Sequence, residues 1–284
     1  MPFRAATAAD EPALTALFRA AELAAAGRAG TTAPELRAIL DAPDLRSAVA
    51  DRDGAIVGFA ALHAAAHVGH LRAHLATAPG EPADPLLDRI AGWAGGAKVT
   101  LFQLPGATTV PALRGRGWKP VRRYTRLTAD LTTELPAPAD AAAGVRILAA
   151  GEPATVHAVI EDAVAGHWQH RPRDFADFWR DQRGIDGHDP TLWWLAEVDG
   201  RPAAALIARG APGRAWIGWF GTREPYRGRG LGRALLLTAF AELARRGHRT
   251  VGVDVDSANE TGAPGVYRAA GMRVLGEADQ WLLA

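Results

Sequence analysis

Residues 216–247 constrain the fold of this chain more than any other stretch, because they read as a strand that enters a helix through a glycine-rich turn. Apolar and aromatic side chains at 216–222 are typical of a buried strand. Residues 231–246 carry leucines and alanines at helical spacing, and Gly247 is a stop signal for that helix. The basic turn between them, 227–232, can place unpaired backbone N–H groups against an anion.

Three kinds of phosphate-binding turn compete for these residues. The nucleoside triphosphate loop requires Gly-Lys-Ser/Thr, which the turn lacks. The dinucleotide fingerprint G-x-G-x-x-G is met by Gly228 and Gly230, with Asp254 at a suitable distance, but Arg233 replaces its third glycine. The third pattern, [Q/R]-x-x-G-x-[G/A], is met throughout by residues 227–232. A basic glycine turn with no ligand is the remaining interpretation.

Four features follow the helix in order. In residues 250–255 every second residue is a valine, which is the pattern of a half-buried strand. Asn259 comes next, and a short helix that opens on a proline then contains Tyr267. A Gly-Met pair at 271–272 follows that helix. The order, more than any one residue, is what makes the pattern specific.

Together these features resemble the pyrophosphate loop and the ending of the GCN5-related N-acetyltransferases (GNAT), and the chain is identified as a member of that superfamily. The resemblance implies direct transfer of an acetyl group from acetyl-coenzyme A to the amine of a small molecule, for example an antibiotic, an amino acid or an amino sugar. The alternative function is a module that binds coenzyme A or another small molecule without turnover.

The resemblance also implies which residues bind acetyl-coenzyme A. Backbone N–H groups of 227–232 would hold the pyrophosphate, the strand end at 221–223 would pair with the pantetheine amides, and Asn259 would bond to the pantetheine arm. Guanidinium groups in and beside the turn would add charge-assisted hydrogen bonds. The predicted binding residues are Gly221, Thr222, Arg223, Arg227, Gly228, Arg229, Gly230, Leu231, Gly232, Arg233 and Asn259.

Three residues are predicted to move protons. Tyr267 would protonate the departing thiolate as general acid, although a tyrosine on a short helix can also be a core residue. Asp254 is the first candidate for the base that deprotonates the amine, and Glu224 is the second. Either carboxylate can instead be a solvated surface group, and a base can act through water.

The acceptor amine is expected to bind beside His167, Trp168, His170 and Trp219, in the first part of the second half and on its central strands. The two histidines are three apart, a spacing that metal ligands also use, but no third ligand is evident. A run of histidines at 63, 67, 70 and 74 alternates between strand faces. We therefore predict no metal site.

The order of predicted elements occurs twice along the chain. Each half contains a hairpin with an Asp-Gly turn, at 53–54 and at 199–200. The proline- and alanine-rich segment 132–144 separates the halves, so we predict domains at 1–131 and 145–284 joined by this linker. With the resemblance, the fold class is α/β (α+β): two tandem GNAT domains, each a mixed, mostly antiparallel central sheet flanked by helices, as in mycothiol synthase-like proteins.

The first half lacks the phosphate-binding pattern at the corresponding position. Residues 78–85 read Ala-Pro-Gly-Glu-Pro-Ala-Asp-Pro. The carboxylates of Glu81 and Asp84 would repel a pyrophosphate, and the prolines remove N–H donors. Leu113, which stands opposite Tyr267, has no proton to give. We therefore predict a degenerate N-terminal domain with a structural or substrate-contacting role, and a catalytic C-terminal domain.

Composition limits the kinds of function that the chain can have. A length of 284 residues favours two domains, and a net charge of +1 gives no reason to expect nucleic acid as a partner. The chain has no cysteine, which excludes disulfides and a thiolate nucleophile. No segment reads as a signal peptide or a membrane span, so we expect a cytoplasmic protein without a membrane partner. The oligomeric state, monomer or homodimer, is left open.

Overall fold

The computed structural model describes residues 2–65, 70–133, 144–149, 151–167, 170–185, 187–211, 214–258 and 262–284. Within them the chain forms two compact units. Unit 1 consists of Met1–Tyr124 and Gly276–Ala284, and unit 2 consists of Thr125–Leu275. No helix in the described ranges is both long enough and apolar enough to cross a bilayer.

The first half of the chain contributes these elements: β1 (Phe3–Arg4), α1 (Glu11–Ala26), α2 (Ala33–Leu40), β2 (Arg46–Arg52), β3 (Ala55–Ala65), β4 (His70–Thr77), α3 (Asp84–Ala94), β5 (Val99–Gln103), α4 (Val110–Gly115) and β6 (Lys119–Asp130). The second half contributes β7 (Val145–Ala149), α5 (Pro153–Val164), α6 (Phe175–Arg183), β8 (Trp193–Val198), β9 (Arg201–Ala211), β10 (Arg214–Thr222), α7 (Leu231–Arg245), β11 (Thr250–Asp256), α8 (Ala263–Ala269) and β12 (Arg273–Leu283).

The sheet of unit 1 has the strand order β1-β2-β3-β4-β5-β12. Its neighbours are antiparallel except β4 and β5, which run parallel. Helix α1 buries Leu14 and α2 buries Leu36 against Phe59 on one face. On the other face α3 buries Leu86 and Leu87 in a core that includes Leu75. Each such side chain stabilises the fold by about 1.5–3 kcal/mol on burial.

The sheet of unit 2 has the order β6-β11-β10-β9-β8-β7. Strands β7 to β10 pair antiparallel in sequence order, and β10 and β11 run parallel. Helix α7 buries Leu235 and Phe240 against one face, and α5 buries Val159 and Ile160 on the other side of the sheet. The predicted mixed, mostly antiparallel sheet flanked by helices is confirmed in both units.

The two Asp-Gly turns form as predicted. Asp53 and Gly54 have φ of 53° and 80°, and Asp199 and Gly200 have φ of 50° and 74°. Positive φ at both central positions is the type I′ geometry, whose twist matches the flanking strands. The two hairpins, β2–β3 and β8–β9, therefore follow from local sequence alone.

The compact units differ from the predicted contiguous domains 1–131 and 145–284. The last nine residues, 276–284, belong to unit 1, and residues 125–131 belong to unit 2. The cause is a strand exchange: β12 pairs with β5 of the first half, whereas β6 lies beside β11. Residues 134–143 of the predicted linker 132–144 lie outside the described residues.

Candidate functional site

A gap opens between the two parallel strands of unit 2. Strands β10 and β11 pair only at Ala215–Val251 and Trp216–Gly252, whereas β10 stays paired with β9 as far as Thr222. A register shift after Ile217 marks a bulge, which strengthens the local twist and bends β10. The β11-facing edge of residues 217–222 thus has no strand partner in the described chain. Its backbone N–H and C=O groups remain available to a ligand.

The last paired position of β10 and β11 is tightly packed. The indole of Trp216 lies over Gly252, and a Cβ added to Gly252 would be 2.3 Å from the indole Cζ3. The guanidinium of Arg126 lies 4.9 Å from the centre of a Trp216 ring on β10. These groups mark the closed end of the gap.

The open end of the gap meets the glycine turn. A short 3-10 turn, Glu224–Tyr226, leads through Gly228 (φ 74°) and Gly230 (φ 76°) into α7. A Cβ added to either glycine would find no atom within 4 Å, so the space above the turn is open. None of the N–H groups of residues 228–233 donates to another described residue. A helix N-terminus with free donors and a positive dipole end is a site for an anion.

Two other predicted glycines are required by packing. A Cβ on Gly232 would lie 2.7 Å from Cζ of Phe220, and one on Gly221 would lie 2.5 Å from Cβ of Ala163. Gly232 therefore brings the first turn of α7 close to β10, and Gly221 lets α5 approach the same strand. Buried Leu231 anchors the start of α7 in the core.

The arginines of the turn contact backbone carbonyls around it. Arg227 Nε donates to the Thr222 carbonyl oxygen at 3.2 Å, and Arg233 Nε donates to that of Ala269 at 3.1 Å. Arg229 lies 5.5 Å from the ring centre of Tyr226. All three stay near the turn, so their remaining N–H groups can face an anion there.

Arg223 is oriented differently from the prediction. Its backbone N–H donates to the Ala203 carbonyl oxygen at 2.9 Å, which continues the ladder with β9. Its guanidinium contacts the Asp162 carboxylate and donates to the Pro202 carbonyl oxygen, both at 2.9 Å. Arg223 thus fixes α5 against the sheet, and its N–H is not available to a pantetheine amide.

Tyr267 is buried on α8, with its ring centre 5.7 Å from that of Phe220 on β10. Burial raises the pKa of its phenol well above the ordinary value. The hydroxyl therefore keeps its proton at neutral pH. The side chain also belongs to the main core cluster of unit 2, so it packs as a core residue beside the strand that lines the gap.

The two candidate bases have different surroundings. Both oxygens of Asp254 accept from Arg126, at 2.8 and 2.9 Å, so Asp254 can take a proton from an amine only if this bidentate pair opens. Glu224 is exposed at the start of the 3-10 turn, next to the glycine turn. Position favours Glu224 over Asp254.

The predicted acceptor residues lie on the α5 and α6 side. Burial lowers the pKa of the His167 imidazole. The positive charges of His170 and Arg227 also lower this pKa, whereas the negative charge of Asp256 raises it. The ring of Trp219 packs on the core beneath α6, with the Arg173 guanidinium 5.5 Å from its centre. Asn259 and Trp168 lie outside the described residues.

Sequence reasoning missed Glu161, which bridges two histidines. Its carboxylate lies 3.1 Å from His170 Nε2 and 3.5 Å from His157 Nε2, and the Arg173 backbone N–H donates to it at 3.4 Å. His157 and Glu161 are four apart on α5, and this spacing is the signal that could have found them. No group of potential ligands in the described ranges is arranged to hold a metal ion.

Residues 153–272 match the model of the acetyltransferase (GNAT) family. This segment contains the glycine turn, α7, β11 and the helix that bears Tyr267. No curated protein matches the chain.

Solved structures match the chain over almost its full length. A GCN5-related N-acetyltransferase from Sphaerobacter thermophilus is 25% identical with a TM-score of 0.83, over 99% of this chain and 95% of that one. A tandem GNAT protein from the clavulanic acid biosynthesis pathway is 18% identical with a TM-score of 0.68, over 99% and 98%. A GCN5-related N-acetyltransferase from Kribbella flavida is 21% identical with a TM-score of 0.57, over 92% and 94%. The last two show the shared fold alone.

Proposed function

We propose that the chain transfers an acetyl group from acetyl-coenzyme A to the amine of a small molecule. The chain belongs to the GNAT superfamily, because residues 153–272 match the family model and the fold over almost the whole chain is like that of solved GNAT structures. Unit 2 carries the reaction, and unit 1 has a structural or substrate-contacting role. The observation that carries this proposal is the position of the open glycine turn at the mouth of the gap between β10 and β11.

The residues of the turn fit a diphosphate. Gly228 and Gly230 leave open space where side chains would stand. The backbone N–H groups of residues 228–233, at the start of α7, are free to donate hydrogen bonds to an anion. Arg227 and Arg229 add positive charge beside them. Diphosphate oxygens would accept from these donors in charge-assisted bonds, which are stronger than neutral ones.

The gap between β10 and β11 suits an extended ligand that contains amide groups. The unpaired edge of residues 217–222 offers N–H and C=O groups to an extended ligand, as a sheet edge does to an added strand. An N–H group on this edge can also donate to a carbonyl oxygen on which negative charge develops. Acetyl-coenzyme A, when bound, supplies the activated acyl group as a thioester.

Tyr267 would supply the proton for the thiolate that leaves acetyl-coenzyme A. Burial keeps its phenol protonated at neutral pH, and its contact with Phe220 places it beside the strand that lines the gap. A thiolate has an ordinary pKa of about 8.5, so a nearby donor lowers the cost of its release at neutral pH.

The acceptor amine must lose a proton to attack. Glu224 is exposed at the turn and can accept this proton directly or through water, whereas Asp254 is held by Arg126. His167 and Trp219 contribute to the acceptor side, where the small amine binds. The amine itself is to be identified by experiment.

The test is a titration of acetyl-coenzyme A by calorimetry, followed by thiol release with a library of amines. Wild-type protein is expected to bind saturably and to release thiol with at least one amine class. Failure to bind contradicts the whole proposal. Binding without thiol release supports a non-catalytic coenzyme A-binding module.

A further inference from the structure

A second group of polar side chains lies in unit 1, away from the glycine turn. On β4, Ala76 packs with α1, and the alternate residues Arg72 and His74 share its face of the sheet. His63 is the register partner of Arg72 on β3. We call the following set the basic cluster: His63, Arg72, His74, Phe102 and Gln280.

The last two members reach this face through β5 and β12. Arg72 pairs with Thr100 on β5, so Phe102, two residues on, points to the same side. Gln280 is the register partner of Phe102 and shares that side as well. The basic cluster therefore spans four adjacent strands of unit 1.

The two histidines of the cluster form a neutral pair. His63 Nδ1 lies 2.9 Å from the Ala64 carbonyl oxygen and so carries the proton that it donates there. His63 Nε2 then accepts from His74 Nε2–H across 3.1 Å, and the rings stack at 5.3 Å. Burial lowers the pKa of His74 to about 3, and Arg72 acts in the same direction. The pair therefore supplies hydrogen-bonding groups without charge at neutral pH.

Arg72 is the one strong cation of the cluster. Its guanidinium lies 4.9 Å from the ring centre of Phe102, and it forms no ion pair or hydrogen bond with another described residue. Burial lowers its pKa, yet an arginine stays protonated in proteins. Among the described residues, the charges that shift the pKa values of His63, Arg72 and His74 come from the cluster's own basic groups and from the Tyr124 phenol. Arg72 is half-buried and pairs with no described carboxylate, so it has lost part of its hydration, and a bound anion would offset that cost.

Gln280 gives a second, independent sign of a ligand. Its side chain is 5% exposed, and Oε1 has no hydrogen-bond partner among the described residues. Buried amide oxygens are nearly always satisfied. The Oε1 of Gln280 can only accept, so the missing partner is an N–H or O–H donor.

We propose that the basic cluster binds a small organic carboxylate that also carries a hydroxyl or amino donor, such as an α-hydroxy acid. The carboxylate accepts from the forked N–H groups of Arg72, and the donor meets Gln280 Oε1. A single cation suits one carboxylate charge better than the two charges of a phosphate monoester. The Phe102 ring holds the Arg72 guanidinium 4.9 Å from its centre and so helps to fix its position.

The test is a ligand-observed NMR titration of the full chain with mandelate, an α-hydroxy carboxylate, and with phenylacetate, which lacks the hydroxyl. Mandelate is expected to bind saturably and more tightly than phenylacetate. Arg72→Gln should weaken mandelate binding at least about tenfold. The matched control Arg19→Gln changes an exposed arginine of unit 1 and should leave binding unchanged.

Two further measurements distinguish the basic cluster from the anion site of unit 2 and from a purely structural role of Arg72. Mandelate binding should persist in Gly230→Glu, which removes the anion site of unit 2. Arg72→Gln should change the midpoint of thermal unfolding little, because losing the contact with the Phe102 ring is offset by removing a half-buried cation that has no described carboxylate partner. No saturation with wild-type protein, equal affinity for the two acids, equal binding in Arg72→Gln, or loss of binding in Gly230→Glu would each overturn the proposal.

Discussion

Each unit has a turn between the first strand of its parallel pair and the helix that follows. This turn comprises residues 78–84 in unit 1 and residues 227–232 in unit 2, and the two turns carry opposite charge. In unit 1, Glu81 accepts from Arg52 at 2.6 and 2.8 Å, and Asp84 of the first turn of α3 pairs with Arg116. Carboxylates thus lie near the helix start in unit 1, where unit 2 has arginines. The carboxylates of the first turn are paired with arginines of their own unit, whereas the second turn presents arginines and free N–H groups that suit an anion.

The strand gap differs in the same way. In unit 1, β4 and β5 pair as far as Ala73–Leu101, and Gln103 Nε2 then donates to the Leu75 carbonyl oxygen at 2.8 Å. This side chain bridges the position where unit 2 stays open. Both units keep the same strand order and the same kind of core, so the cores preserve the fold. In the proposed function, a few side chains at the turn and the gap decide which unit binds coenzyme A.

The largest effect is expected from a carboxylate placed in the turn of unit 2. Gly230→Glu should weaken acetyl-coenzyme A binding at least about a hundredfold, because like charges near a protein surface repel by about 4 kcal/mol at close range. Gly80→Glu is the matched control, since Gly80 also has a positive φ and open space around it. Calorimetry should show unchanged binding in the control. Equal loss in both variants would remove the proposed difference between the units.

The next effect concerns proton donation. Tyr267→Phe should lower kcat about a hundredfold and leave the Kd for coenzyme A unchanged. Because burial raises the pKa of Tyr267, the wild-type kcat should show no loss from its ionisation around the ordinary pKa of about 10. Steady-state rates across this pH range check both points. A kcat that Tyr267→Phe leaves unchanged would make Tyr267 a core residue only.

A smaller effect should distinguish the two carboxylates. Glu224→Gln should reduce kcat/KM by less than the about hundredfold typical of a direct base, because water can relay the proton. Asp254→Asn should reduce it less again and mainly lower stability, since it breaks the pair with Arg126. Rates and thermal midpoints of both variants are the measurement. The opposite order of rate effects would return the role of base to Asp254.

The smallest effect is expected from opening the gap of unit 1. Gln103→Ala should lower the free energy of unfolding by about 1 kcal/mol through loss of one hydrogen bond. It should not create a second coenzyme A site, because Glu81 and Asp84 still occupy the turn. Denaturant titration and binding stoichiometry test this. A stoichiometry of two would show that the bridge alone keeps unit 1 inactive.

Short stretches of the sequence predicted many of the elements of the fold and the glycine turn of unit 2. The type I′ turns at 53–54 and 199–200, the start of α7 and the short helix that bears Tyr267 all follow from nearby residues. The exchange of β6 and β12 could not be predicted, because an alternating strand fits either sheet equally well. The pair of Arg126 with Asp254 joins residues 128 positions apart and depends on that exchange.

The acceptor side shows the same limit. Spacing predicted that His167 and His170 lie on one segment, but the partner of His170 is Glu161, on the preceding helix. Arg223 was predicted from its place at the strand end, yet its contacts to Asp162 and Pro202 arise from tertiary packing. Side-chain partners that come from different elements have no signal in local spacing.

Hydrogen exchange with and without coenzyme A tests the central claim most directly, because it reports on both turns in one sample. Binding should slow exchange of the amides of 228–233 and of the β10 edge at 217–222, and leave the amides of 78–84 unchanged. Slower exchange at 78–84, with 228–233 unaffected, would contradict the assignment of the diphosphate site to unit 2.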